Sequence, residues 1–353
     1  MIILQNAAQA AELSQNVFSR GTVLTWGNFD GVHLGHQALI RATAAKASEL
    51  GLPSVIMTFE PRPAQFFAPD KAPKSIVDLE DKLALLAGLG IDYTLVLPFD
   101  AATAGLEAGE FLRLLPLQTL RAKAMVLGYD LAFGRHRQGD FEFLRGHAAE
   151  YGYTLEQIPP LLADGQAISS TRIRRELAAG RLDELPRLLG RRHSVHGPVR
   201  HGFQRGRNLV GFATANLDPG GLLLPPNGVY ACLARQTSQA GPPQRSFQGG
   251  QELPASQARQ NGRGGQYWTA ACNLGLNPSF GGNQTSLEAH LLDFSGDIYG
   301  ADLRLYFIEY LRAEKTFAGP EELGRQIGLD VERTRAATAK ELADPLFSQI
   351  YPL

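Results

Sequence analysis

The sequence predicts an α/β chain in two parts: an N-terminal doubly wound parallel sheet, then a small antiparallel β-barrel followed by a C-terminal helix. Three observations predict it. With 353 residues the chain exceeds the roughly 100–200 residues over which one core is usually built, so two domains are expected. Across 20–190, short β-branched or apolar runs alternate with longer runs at helical period, the pattern of βαβ units. Beyond the basic, proline-started stretch PRLLGRRHS, short strands separated by glycine-rich turns replace helices.

In the first part, strands are expected at 22–26, 54–59, 93–97, 123–127 and 154–158. Helices are expected at 36–50, 79–89, 108–115 and 141–151, and Gly51, Gly90 and Gly152 stand where helix C-termini favour glycine. Doubly wound sheets bind ligands beyond the carboxyl ends of their strands, so chemistry is expected in the turns after Trp26, Phe59, Leu97 and Leu127. The domain boundary is placed at 188/189, giving domains 1–188 and 189–353. In the second part, strands are expected at 194–200, 228–234, 267–274, 287–294 and 303–312, and a helix at 321–342. The segment 235–266 is dominated by Gln, Gly, Ser and Pro and has few bulky side chains to bury, so a disordered insert is expected.

Composition excludes several classes. Lys and Arg number 34 against 35 Asp and Glu, a net charge of -1, so no global field draws nucleic acid or an anionic membrane. No run approaches the roughly 18 apolar residues of a membrane span. The opening MIILQNAAQAAELSQ lacks a basic segment followed by an apolar one, so export is not indicated. Cys232 and Cys272 lie far apart without CxxC spacing, which argues against a disulfide framework or a thiolate zinc site and for a cytoplasmic protein.

Two segments of the first part carry chemistry. In TWGNFDGVHLGHQALI, a strand runs into a turn with Gly27, Gly31 and Gly35, and His33 and His36 stand three apart where a helix begins. Glycines let the backbone approach a phosphate, the helix start offers N–H groups and a positive dipole end, and two imidazoles can donate to oxygens that gather charge. A metal-binding pair and two structural histidines are the alternatives. In Ile168-Ser169-Ser170-Thr171-Arg172-Ile173-Arg174, hydroxyls at a helix start precede arginines, which suits either a cap or a second anion site.

Together these segments resemble the HxGH-type and ISSTxIR motifs of bacterial bifunctional riboflavin kinase/FAD synthetases. The resemblance implies transfer of AMP from ATP to the phosphate of FMN, with release of pyrophosphate and no covalent enzyme intermediate. His33, His36 and Arg174 are then catalytic, while Gly27, Asn28, Phe29, Asp30, Gly31, Gly35, Ser169, Ser170 and Thr171 bind ATP. Thr58-Phe59-Glu60-Pro61 and Gly128-Tyr129-Asp130-Leu131-Ala132-Phe133-Gly134 resemble the family's TFEP and GxDFxFG segments, implying flavin contacts at Phe59, Asp130 and Phe133. Leu131 replaces the usual Phe, and Arg62 stands where His is common.

The second part resembles the same family's riboflavin kinase signature. Gly206-Arg207 leads to Thr214-Ala215-Asn216, then Gly228-Val229-Tyr230. The resemblance implies that Gly206, Arg207, Thr214 and Asn216 serve ATP, that Thr214 and Asn216 hold Mg2+, and that Glu288 is the base for the ribityl hydroxyl. Leu287 to Asp293 alternates as a strand does, placing Glu288 and His290 on one face. Tyr299, Arg312 and Phe317 lie in further family-like segments and are expected at the flavin. Ala213 replaces the family's Pro, which frees φ there, and Val210 is an extra residue. The expected partners are therefore riboflavin, FMN, FAD and ATP. An adenylyltransferase with a degenerate kinase part and a non-catalytic flavin binder are the alternatives.

Overall fold

The computed structural model describes residues 1–200, 214–237, 247–248, 251–252, 266–277, 284–294, 296, 298–345 and 347. The chain divides into two compact units, the first spanning Met1–Ser170 and the second beginning at Thr171.

The first unit is built on six parallel strands in the spatial order Ile2–Leu4, Tyr93–Pro98, Ser54–Glu60, Thr22–Trp26, Ala122–Gly128, Thr154–Ile158. The central strand Thr22–Trp26 is buried at all five positions, as it must be when helices cover both faces of the sheet. The edge strand Thr154–Ile158, with its Glu and Gln, is mostly exposed. From the central strand the chain winds toward one edge, setting Tyr93–Pro98 beside the edge strand Ile2–Leu4, then returns to pair Ala122–Gly128 with Thr22–Trp26. That reversal is a topological switch point, and it opens a crevice beyond Trp26 and Gly128.

Most boundaries match the sequence pattern, and the departures have local causes. The helix expected at 108–115 ends at Leu112, and the chain continues as a wide turn, Arg113–Thr119, because Pro116 has no N–H for a regular ladder. The helix expected to reach 89 stops at Ala87, just before Gly88. The strand Ile2–Leu4, the helix Ala7–Ser14 and the hairpin Leu162–Ala163 with Gln166–Ala167 were too short to register as periodic runs.

The second unit holds a closed antiparallel barrel with neighbours in the order Thr214–Leu217, Gln284–Leu291, Tyr267–Asn277, Gly228–Thr237, Asp302–Arg312, Ser194–Arg200. The strand expected at 287–294 runs three residues earlier, since Asp293 takes a positive φ of 59° in the turn that follows. Arg235 to Thr237 belong to a barrel strand paired with Asp302–Arg312, which corrects the start of the insert expected at 235–266. Of the rest of that segment, only 247–248, 251–252 and 266 fall within the described residues.

The helix Pro320–Leu342 packs on the barrel through paired charges. Arg312 forks onto Asp330 at 2.8 to 3.1 Å, and Arg192 onto Glu341 at 2.7 and 2.8 Å. Bidentate pairs of this kind fix angle as well as distance, so the helix is held in one register.

Two candidate active sites

The loop leaving the central strand is strained. Phe29 has a φ of 47°, Gly31 of 84° and Val32 of 39°. A positive φ at a β-branched residue is an outlier costing on the order of 1–3 kcal/mol, and it persists only where the surroundings over-determine it. Asp30 is what over-determines it. One carboxylate oxygen accepts from Arg62 at 2.8 Å, the other from the Ile76 N–H at 3.0 Å, and the Asp30 carbonyl accepts from the Ser170 hydroxyl at 2.8 Å. A Cβ on Gly31 would stand 3.1 Å from Ile76, so only glycine lets the loop close down on that neighbour.

The strained loop delivers His33 to the N-cap of the helix Leu34–Leu50, where its Nδ1 accepts from the His36 N–H at 3.2 Å. An accepting Nδ1 places the proton of the neutral ring on Nε2. The two rings stack with centroids 3.5 Å apart and planes 17° apart, and Phe29 meets His36 edge-on at 5.3 Å. Gly35 makes the stack possible, because a Cβ there would lie 3.2 Å from the His33 ring. Burial first, then His33, then Lys82 push the His36 pKa well below its ordinary 6.5. Two imidazoles at a helix N-terminus can each donate to a phosphate oxygen.

Among the described residues, four polar atoms of the first unit are buried without a hydrogen-bond partner: Thr25 Oγ1, Trp26 Nε1, His36 Nδ1 and Lys82 Nζ. Lys82 and Trp26 were not singled out from the sequence. A lysine flanked by Leu79, Leu83 and Leu86 at helical spacing was the available signal for the first, and no signal pointed to the second.

The other residues expected at this site fall into groups. Gly27, Asn28 and Phe29 follow the switch-point strand directly. Asp30 is engaged by Arg62 and Ile76 and serves to hold the loop. Ser169 and Ser170 lead into the helix Ser170–Ala178, which carries Thr171 and Arg174. Phe59 and Phe133 lie buried in the core with Trp26 and Phe111, where Phe133 meets Trp26 edge-on at 5.7 Å. Asp130 is exposed just beyond the strand Ala122–Gly128.

The barrel site is assembled by register. Asn216 pairs directly with Glu288, and Thr214 with His290 two residues along. On its other side Glu288 pairs with Asn273, a residue that sequence reasoning missed. Directly opposed residues share a face, so Glu288 lies between two asparagines on neighbouring strands. Leu287 and Ala289 point the other way and are fully buried, as the alternation requires. The Ser286 hydroxyl donates to Glu288 at 3.2 Å.

Tyr299 is partly exposed, and the Arg312 guanidinium sits 5.7 Å from the Phe317 ring centre while gripping Asp330. Gly206 and Arg207 lie outside the described residues, as does the side chain of Thr214.

Two phosphate-directed sites on one chain define a class, that of ATP-using transferases with two active centres. Family models agree with each half: the FAD synthetase model matches residues 15–172, and the riboflavin kinase model matches 189–338. The bifunctional riboflavin kinase/FMN adenylyltransferase of Pseudomonas fluorescens is 36% identical over 321 residues, covering 91% of this chain and 94% of that protein. That of Bacillus subtilis is 31% identical over 315 residues, covering 88% and 90%. A crystal structure described as a macrolide-efflux protein from Streptococcus pneumoniae has the same fold, with a TM-score of 0.76 and 28% identity over 95% of this chain and 98% of its own. The chain belongs to the bifunctional riboflavin kinase/FMN adenylyltransferase family. Among the described residues, no helix is long and apolar enough to cross a membrane.

Proposed function

We propose that this chain makes FAD in two steps, phosphorylating riboflavin to FMN at the barrel site and adenylylating FMN at the switch-point site. The observation that carries the reading is that one chain holds both a stacked histidine pair at a helix N-terminus and a carboxylate set between asparagines by strand register.

In the barrel, Glu288 takes the proton of the ribityl 5′-hydroxyl as that oxygen attacks the γ-phosphorus of ATP and ADP leaves. Thr214 and Asn216 would hold Mg2+, for which hydroxyl and amide oxygens are suitable donors, and the metal would supply charge compensation to the transferred phosphoryl group. Gly206 and Arg207 complete the ATP contacts, and Tyr299, Arg312 and Phe317 border the flavin.

At the switch point, a phosphate oxygen of FMN attacks the α-phosphorus of ATP and pyrophosphate leaves. His33 and His36 donate to the α-phosphate oxygens as charge builds there. Gly27, Asn28, Phe29, Gly31 and Gly35 let the backbone approach the nucleotide, and Ser169, Ser170, Thr171 and Arg174 receive the β- and γ-phosphates. Phe59, Asp130 and Phe133 border the flavin, with Leu131 in place of an aromatic neighbour. The domain boundary is placed at 188/189, and location in the cytoplasm is supported by two free, buried cysteines.

The test incubates the protein with riboflavin, ATP and Mg2+, and in parallel with FMN, ATP and Mg2+, and separates the flavins by chromatography. FAD from both starting points is expected. FAD from FMN alone would remove the kinase half, and FAD from neither would leave a flavin-binding protein.

A further inference from the structure

Lys82 is a charged residue in an apolar position. It sits in the helix Leu79–Ala87 and is only 2% exposed, and its Nζ meets no hydrogen-bond acceptor among the described residues. A buried ammonium without a partner is costly and ordinarily pairs or loses its proton. The nearby carboxylates are engaged elsewhere. Asp30 is held by Arg62 and the Ile76 N–H, and Asp78 caps the lysine's own helix by accepting from the Asp81 N–H at 2.8 Å. Glu60, at the end of the strand Ser54–Glu60, is within electrostatic reach but is only half-buried.

The helix that carries Lys82 is tied to the histidine loop. Ile76, just before the helix, donates its N–H to Asp30 and packs against Gly31. In this region a second buried nitrogen, His36 Nδ1, also lacks a partner. Burial, opposed by Glu60 and Asp30, lowers the lysine pKa, and its charge in turn bears on His36. The groups facing this corner are therefore His33, His36, Lys82 and the Asp30–Arg62 pair, with Glu60 and Asp78 at its margins. Arg62 and Asp30 cancel, and a neutral His36 brings a donor but no charge. Lys82, whose Nζ meets no acceptor among the described residues, is then a cation open to phosphates that gather at the histidines.

We propose that Lys82 is a further substrate-positioning residue of the adenylyl-transfer site, its buried ammonium held in reserve for the phosphate charge that collects at His33 and His36. The inference rests on the assignment of that site to adenylyl transfer. Lys82 supplies the fixed positive charge that lets an anionic FMN phosphate approach an anionic α-phosphate, while the imidazoles supply the directed hydrogen bonds. The cost of the unpaired charge falls on the substrate-free protein.

The test compares wild type, Lys82→Met and Lys82→Arg in three measurements: FAD from FMN, FMN from riboflavin, and the melting temperature without substrates. In Lys82→Met, FAD formation falls about 100-fold, mostly in kcat, because the charge is needed most as the α-phosphorus becomes five-coordinate. Riboflavin phosphorylation stays at the wild-type rate, and the melting temperature rises because an uncompensated buried charge has gone. Lys82→Arg recovers part of the lost activity. Wild-type FAD formation in Lys82→Met, no recovery in Lys82→Arg, or a lowered melting temperature with equal loss of both activities would each overturn the proposal. If wild type itself makes no FAD from FMN, the adenylyl-transfer assignment fails instead.

Discussion

The two sites solve the same problem, holding triphosphate against a nucleophile, by opposite routes. The switch-point site is local: within Gly27 to His36, a strained turn and a helix N-terminus place backbone N–H groups and both imidazoles. The barrel site is nonlocal: Asn216, Asn273 and Glu288 come from three strands and meet only because the register puts them opposite one another. A local site stores its precision as backbone strain, whereas a register site takes it from the ladder of the whole sheet. Damage should therefore stay within each site, and the other activity in the same polypeptide serves as the control.

The largest expected effect is at the histidine stack. His36→Ala should lower FAD formation from FMN about 1000-fold, the scale of losing a directed donor to developing charge. Riboflavin phosphorylation should not change. A drop in both activities would mean that the stack supports folding rather than chemistry.

Next comes the pair that pins the strained loop. Arg62→Met leaves the Asp30 carboxylate buried without its cation, and removal of one member of such a pair costs about 3 kcal/mol or more. Urea unfolding should show that loss, together with weakened FAD formation, since Phe29 and Val32 would relax toward negative φ. An unchanged midpoint would mean that the loop's conformation is held by something other than Asp30.

The mirror experiment on the barrel is Glu288→Gln, which keeps shape and the contact with Ser286 but cannot take a proton. Phosphorylation of riboflavin should fall about 100-fold, the usual contribution of a positioned base. FAD should still form from FMN and not from riboflavin, the reverse of His36→Ala.

The same contrast explains what could be read from the sequence. Five of the six sheet strands, five of the six barrel strands and the C-terminal helix announce themselves by period, because burial of one or both faces dictates which positions are apolar, whereas the four-residue barrel strand Thr214–Leu217 does not. The histidine loop was legible because its parts are adjacent in sequence. Asn273 was not, because nothing local distinguishes an asparagine opposite a strand carboxylate from one in a turn; only the register brings it to Glu288. Asp30 was read as a phosphate contact, and its grip on Arg62, a partner 32 residues away, was not legible in the sequence. The short first strand and first helix escaped because three and eight residues show too little periodicity.

The smallest effect tests the electrostatics of the comparison. His36 has its folded pKa well below the ordinary 6.5, with burial as the largest cause, and His290 in the barrel is lowered by burial and then by Arg335, against Asp293. For a depressed histidine the unfolded chain takes up the proton first. Stability is therefore fully present above the unfolded value and is lost as pH falls from there toward the folded pKa, by at most about 1.4 kcal/mol per pH unit for one group. Urea midpoints measured on either side of 6.5 should fall on the acid side in wild type, less steeply in His36→Asn, and with an intermediate change in His290→Asn. Identical slopes in wild type and His36→Asn would mean that the stacked ring takes up its proton without penalty. The site would then already carry a cation beside the phosphates, and Lys82 would lose its reason to be there.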